Sequence, residues 1–394
     1  MEPKLGLYVH VPLCRGGKCR YCDFYSLPFT APRARRYISA LAREAELRAR
    51  DPRIRGRRFH TLYLGGGTPT SLGAGALAGL LEMLSRTFPL EPGAEVTVEA
   101  NPGTVDREGL ARLRAAGASR LSLGVQAFQD RLLSSLGRRH RARDAGPAVL
   151  WAREAGFCSV GVDLMFGLPG QTLADWRESL DRALELGPDH LSTYSLLLEP
   201  GTRLEADVRS GRARLPDPDL EADMFEAAMD LLPAAGFEHY EVSNFARPGY
   251  RCRHNLLYWE GGEYLGLGPG AHSFLGGERS FNLPDLEGYA REVERGRLPT
   301  GGSLRPEPEE LMGEAMFLGL RLVQGVSLAG FSARFGVAVA QAFPGSLEKL
   351  QRLGLLVLDG DRVRLSRRGL MLGNAAFGEF LRAPDHAAAG ASRP

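Results

Sequence analysis

A chain of 394 residues with 44% apolar and 24% charged side chains can bury a sizeable core and build more than one compact unit, which excludes a disordered protein. Its 49 basic and 47 acidic residues leave a formal net charge of +2, which provides no long-range field toward DNA or an anionic membrane and argues against a dedicated nucleic-acid binder. No apolar stretch reaches bilayer-spanning length and the N-terminus lacks a secretory pattern, so a cytoplasmic, reducing location is expected.

In chain order, apolar, β-branched or aromatic runs at 5–11, 61–64, 96–100, 120–125, 159–165 and 190–196 predict six strands, with helically periodic segments between most of them. Segment 31–50 is such a helix, with Tyr37, Ile38, Leu41 and Leu47 on one apolar stripe and Arg and Glu on the rest. Six strand–helix alternations to about residue 235 predict a parallel α/β sheet with right-handed crossovers, doubly wound or curled into an incomplete barrel. Either geometry places its site beyond the C-terminal strand ends. The unusual residues do follow strands: a cysteine cluster after the first, Gly65-Gly66-Gly67-Thr68-Pro69 after the second, Glu99 at the end of the third, Gln126 at the end of the fourth and Asp163 in the fifth.

From 236 to 300 the chain turns irregular and rich in glycine and aromatics, as expected of a segment that packs against the barrel and lines a pocket. Between 301 and 381, helical periodicity leads to two apolar runs around Asp359-Gly360, a turn signal that predicts a hairpin in a small helical, winged-helix-like unit. Such units can contact nucleic acid, a remote alternative here because Arg362, Arg364, Arg367 and Arg368 are its best basic cluster. The Ala/Pro/Gly-rich tail at 382–394 is predicted to be disordered.

Five cysteines are an odd number, and Cys14, Cys19 and Cys22 crowd one short segment. In a reducing compartment this reads as a metal site before it reads as disulfides. Two glycines, Gly16 and Gly17, let the loop curl around a 4Fe-4S cluster, whose fourth iron would remain open to chelate the amino and carboxylate groups of S-adenosylmethionine (SAM). Zinc is the competing reading, and it would need a fourth ligand from elsewhere in the chain.

The phrase from Tyr8 to Phe24 resembles the signature of the HemN/HemW branch of radical SAM proteins, and the likeness continues through Asp163-Leu164-Met165-Phe166-Gly167-Leu168-Pro169-Gly170-Gln171 and the C-terminal unit. It departs in one place, with four residues between Cys14 and Cys19 where that branch has three. The resemblance implies a partial (β/α)6 TIM-like barrel over 1–235, a 4Fe-4S cluster on Cys14, Cys19 and Cys22, and SAM held by Gly65, Gly66, Gly67, Thr68, Glu99, Gln126, Arg138 and Asp163, with Tyr8 beside the cluster.

The segment Cys252-Arg253-His254-Asn255-Leu256-Leu257-Tyr258-Trp259 contains His-Asn-x-x-Tyr-Trp, which resembles the motif separating the heme chaperones of this branch from its coproporphyrinogen oxidases. Phe24, where the oxidases carry a further cysteine, points the same way. The resemblance implies a heme bound with His254 as its axial ligand and Tyr258 and Trp259 against the porphyrin. Cys252 competes as a thiolate ligand, and His10 and His272 are further candidates. The function it implies is delivery of heme to heme-requiring apo-proteins such as respiratory enzymes, with peripheral contact at the inner membrane face. Its alternative is oxygen-independent coproporphyrinogen III oxidation, a radical decarboxylation of propionates.

Overall fold

The computed structural model describes residues 4–381, so the expected disorder of 382–394 falls outside the described residues. Six strands, β1 (Leu5–Val11), β2 (Phe59–Gly66), β3 (Leu90–Ala100), β4 (Arg120–Gln126), β5 (Ser159–Phe166) and β6 (His190–Ser195), pair in chain order and run parallel throughout. Between them lie helices α1 (Ala31–Arg48), α2 (Ala74–Thr87), α3 (Arg107–Ala115), α4 (Asp130–Ser135), α5 (Ala145–Glu154) and α6 (Leu173–Glu185). Of the two geometries that the alternation allows, doubly wound or an incomplete barrel, this is the mixed α/β, TIM-like partial barrel that the resemblance implies.

The two faces of this sheet differ in kind. Leu5, Leu7, Val9 and Val11 of β1 are fully buried with Leu62, Leu64, Val96 and Val98, forming the apolar side. Strand alternation turns the intervening residues to the opposite, concave face, where the register aligns Tyr8, Tyr63, Thr97 and Arg120 in one row. Burial of each leucine-sized side chain contributes about 1.5–3 kcal/mol, so the outer layer holds the sheet while its polar lining is left for chemistry.

Helix α1 corrects the sequence reading. Tyr37 and Leu41 are buried as expected, but so are Glu44 and Arg48, which lie off the predicted apolar stripe. Glu44 accepts hydrogen bonds from the Gly268 N–H at 2.8 Å, Asn282 Nδ2 at 2.7 Å and the Tyr289 hydroxyl at 2.6 Å, and burial raises its pKa. A buried carboxyl is tolerated when its oxygens are satisfied in this way.

The segment 236–300 is more regular than its sequence suggested. It supplies β7 (Glu238–Glu241), β8 (Asn244–Ala246), helix α7 (Arg253–Trp259), β9 (Glu263–Leu267), β10 (His272–Leu275) and β11 (Glu278–Asn282), and β12 (Thr300–Leu304) starts at its end. Among the described residues the sheet becomes twelve-stranded, in the order β12-β11-β10-β9-β1-β2-β3-β4-β5-β6-β8-β7. Here β9 runs parallel to β1, and β10 to β12 continue antiparallel. These strands are short and separated by glycines with positive φ, such as Gly268 and Gly270, which interrupt the alternation that would have revealed them.

The described chain forms two compact units, the first of residues 4–258 and 262–305 and the second of residues 259–261 and 306–381. The second contains the predicted hairpin, β14 (Leu356–Asp359) paired antiparallel with β15 (Arg362–Leu365), and β13 (Val326–Ser327) on the free edge of β15. Among the described residues no helix is long and apolar enough to cross a membrane.

Candidate functional site

The loop that follows β1 carries Cys14, Cys19 and Cys22 and is fastened on both sides. The Arg15 N–H donates to Ser71 Oγ at 3.0 Å and its Nε to the Ser71 carbonyl at 2.9 Å, while the guanidinium lies 4.4 Å over the Phe29 ring. On the other side the Arg20 N–H donates to the Leu136 carbonyl at 3.0 Å, Arg20 pairs with Asp207, and Arg139 donates to the Gly16 carbonyl. Gly16 and Gly17 both take positive φ, the conformation that lets the loop turn back on itself.

All three thiols line one cavity of about 580 Å³, in the size range of cofactor sites. The same cavity gathers Gly66, Gly67, Thr68, Glu99, Gln126, Arg138 and Asp163 from the C-terminal ends of β2 to β5 and the turn after α4. Seven of the nine residues that the resemblance assigned to SAM or the cluster's side thus share one space with the cysteines. Tyr8 and Gly65 do not line it. The Tyr8 hydroxyl turns into the barrel, 3.1 Å from His10 Nδ1, and its ring lies 6.2 Å from that of Tyr63.

Among the described residues, no three His, Cys, Asp or Glu side chains are arranged to hold a single metal ion. Cys14, Cys19 and Cys22 nevertheless share the lining of one cavity. Burial raises the Cys14 thiol pKa and pushes that of Cys22 up to about 11, so metal binding must displace protons from this loop.

The polar wall is mutually supported. Arg138 Nη1 lies 3.7 Å from Cys19 Sγ, and Nη2 donates to Asn101 Oδ1 at 2.5 Å and to the Gly124 carbonyl. Glu99 accepts from the Tyr63 hydroxyl at 2.7 Å and the Gly66 N–H at 3.2 Å; burial raises its pKa to about 7 despite these bonds, and the nearby Asp163 adds to the rise. Asp163 accepts from Ser122 at 3.0 Å, and burial raises its pKa too. Among the described residues Gln126 is the only non-glycine with positive φ, at 70°, and Tyr194 donates to its Oε1 at 2.8 Å. A strained backbone held by its neighbours is typical of a site that aims a side chain.

Sequence reasoning did not assign a role to Asn101, Ser122, Tyr194 or His140, which also line the cavity. Asn101 belongs to the strand-end phrase beginning at Glu99 and was within reach. Tyr194 ends a strand whose function was not marked by any motif. A second cavity of about 230 Å³ lies against Arg120, His190, Asn244, Cys252 and Asn255 and shares Glu99, Ser122, Asp163 and Tyr194 with the first.

His254 lies inside the barrel. Its side chain is 1% exposed, Nδ1 is 2.7 Å from Thr61 Oγ1, and Nε2 is 2.8 Å from the Tyr258 hydroxyl. Burial lowers its pKa to about 3. The Arg253 and His254 N–H groups both donate to the Glu95 carboxylate at 3.1 Å, which pins the first turn of α7 to β3. Both ring nitrogens are thus engaged by protein side chains inside the barrel. Cys252 is also buried, 2% exposed and 3.6 Å from Glu95 Oε1, and burial pushes its thiol pKa up to about 12. Tyr258 serves the same buried cluster, 4.6 Å edge-on to Tyr264, whereas Trp259 belongs to the second unit, where the Arg321 guanidinium lies 4.4 Å over its ring. His10 is also enclosed, with Nε2 donating to the Tyr25 carbonyl at 2.8 Å.

A parallel partial barrel with three cysteines on its first strand-to-helix loop is the layout of a radical SAM protein, and residues 8–183 match the radical SAM superfamily model. Residues 307–372 match the HemN C-terminal domain model. The chain is 39% identical to the heme chaperone HemW of Bacillus subtilis, over 95% of this chain and 98% of that one, and 41% identical to the heme chaperone HemW of Mycobacterium tuberculosis, over 95% and 94%. It belongs to the HemW family. A solved structure described as coproporphyrinogen III oxidase (HemN) from Escherichia coli, a radical SAM enzyme, superposes with a TM-score of 0.83 at 26% identity, covering 96% of this chain and 90% of that one.

Proposed function

We propose that this chain is a heme chaperone that carries a 4Fe-4S cluster on Cys14, Cys19 and Cys22, binds SAM beside it, and hands heme to heme-requiring apo-proteins, respiratory enzymes at a membrane surface among them. The observation that carries the cofactor assignment is the convergence of three thiols, the bare backbone of Gly66 and Gly67, and the side chains of Glu99, Arg138 and Asp163 on a single cavity. The donor set fits: three thiolates leave one iron of the cubane open, the guanidinium suits the carboxylate of SAM, and Glu99 suits its ribose hydroxyls. When bound and reduced, such a cluster would supply one electron to the SAM sulfonium. The chain's own part is to fix both partners, through the clamped loop and the Arg138–Asn101 bond, and to keep them within a buried, polar wall.

Family membership supports the chaperone role, and the test is transfer. Anaerobically reconstituted protein should contain about four irons and four sulfides per chain, lost together when Cys14, Cys19 and Cys22 are replaced by alanine. Loaded with heme, it should convert an apo-hemoprotein to its holo form faster than free heme does. A second reading, oxidative decarboxylation of coproporphyrinogen, is favoured by the structural likeness to HemN. Formation of protoporphyrinogen from coproporphyrinogen, SAM and a reductant would establish that reading and overturn the first.

A further inference from the structure

A heme carrier needs an iron ligand that heme can reach and leave, and the buried His254 offers neither. Of the eight histidines in the sequence, His386 lies outside the described residues, and His272 is the one exposed histidine among the other seven. Ring hydrogen bonds engage His10, His60, His140, His190, His239 and His254. Among the described residues, neither ring nitrogen of His272 makes one. Partial burial, and the neighbouring Arg279, hold its pKa below the ordinary imidazole value, which keeps the metal-binding neutral form dominant at neutral pH.

The surroundings of His272 suit a flat apolar ligand. The register of β10, β11 and β12 aligns His272, Phe281 and Gly302 in one row and Phe274, Arg279 and Leu304 in the next row on the same face. The rings of His272 and Phe281 stack at 5.6 Å with 29° between their planes. Phe281 is 39% exposed and Leu304 57%. A Cβ at Gly301 or Gly302 would come within 2.7 or 2.8 Å of the Phe281 ring, so those glycines let the ring lie close along β12. The Arg279 guanidinium, 5.2 Å over the Phe274 ring, adds a cation beside this apolar surface. The opposite face of the same strands is committed to the core through Ser273, Leu275 and Asn282.

We propose that His272 ligates the heme iron, with Phe281 and Leu304 forming the apolar surface under the porphyrin and Arg279 facing a propionate. The inference rests on the chaperone reading and gives it a location: an imidazole on an exposed sheet face, from which a planar ligand can pass to a client without unfolding the barrel. Exposed imidazole ligation explains how one protein could hold heme and still release it.

The test is a titration of full-length reconstituted protein with hemin. His272→Ala should bind hemin at least about tenfold more weakly and lose the wild-type Soret shift, and imidazole added to the buffer should restore the band. Phe281→Ser should weaken binding while leaving the band position unchanged, because it removes surface and keeps the ligand. A His272→Ala protein that titrates like the wild type overturns the assignment of His272 alone. A wild type that leaves the hemin spectrum unchanged overturns the chaperone reading and this site with it.

Discussion

Arg138 and Cys19 come within 3.7 Å of one another, guanidinium Nη1 to thiol Sγ, and this contact ties the cysteine loop to the turn after α4. The same guanidinium bonds Asn101 and the Gly124 carbonyl, so a single side chain couples the cluster loop to the ends of β3 and β4. Charge-assisted hydrogen bonds of this kind contribute about 1.5–3 kcal/mol. Replacing Arg138 by methionine should leave iron and sulfide content near the wild-type level, because no ligand is removed. It should lower the cluster's reduction potential and weaken SAM binding by about tenfold or more, read by spectroelectrochemistry and calorimetry on anaerobic protein.

The interior histidines set the acid limit of stability. Burial lowers the pKa of His254 to about 3, and burial first, then Arg138, lowers that of His140 to about 4; burial also lowers His239 to about 4. Each is neutral when folded and protonates on unfolding below about pH 6.5, so the unfolded chain binds more protons as pH falls. Stability should therefore be full above that value and decline progressively toward about pH 4, seen as a falling urea midpoint. His254→Ala should cost about 2–4 kcal/mol near neutral pH, since it opens a cavity and strands Thr61 and Tyr258, and it should reduce the acid sensitivity.

Much of this architecture was legible from residue patterns. Strand β1 spans Leu5–Val11 as its apolar run predicts, four of the other core strands differ from their predicted runs by one to four terminal residues, and β3 begins six residues before its predicted run. The residues that share the cavity were legible for a topological reason: most lie at or near the C-terminal ends of strands, and a parallel sheet brings such ends to one rim. What could not be read was orientation. Nothing in His-Asn-x-x-Tyr-Trp distinguishes a histidine that faces a ligand from one bonded to Thr61 and Tyr258 inside a barrel. Glu44 and Arg48 misled in the opposite direction, because their partners Asn282 and Tyr289 lie more than two hundred residues away.

Glu99 provides the opposite pH signature. Burial raises its carboxyl pKa to about 7, so the folded protein holds a proton that the unfolded chain has released. Its contribution to stability is fully present below the ordinary carboxylate pKa and is lost as pH rises toward about 7. Glu99→Gln should therefore stabilise the cofactor-free protein at about pH 8 by about 1–2 kcal/mol and have little effect below about pH 4. Urea titrations at the two pH values measure the difference. If Glu99 holds the ribose of SAM, the same variant should also weaken SAM binding at the higher pH.

The glycines of the site separate into those that packing requires and those it does not. A Cβ on Gly67 would lie 2.8 Å from the Val11 carbonyl oxygen and 2.9 Å from the Leu13 N and O atoms, all backbone, so Gly67→Ala should displace the strand end and abolish SAM binding. Gly17, by contrast, has nothing within 4 Å of an added Cβ, although its φ of 96° disfavours other residues. It lies in the one stretch where the spacing between cluster cysteines exceeds that of the resembling branch. Because the loop is held from outside, by Ser71 on one side and Leu136 and Asp207 on the other, the extra residue can bulge without moving the thiols. Deletion of Gly17 should accordingly preserve iron and sulfide content and the cluster's absorption spectrum. A deletion variant that no longer assembles a cluster would show that the longer spacing sets the thiol positions directly, and that the outside clamps are secondary.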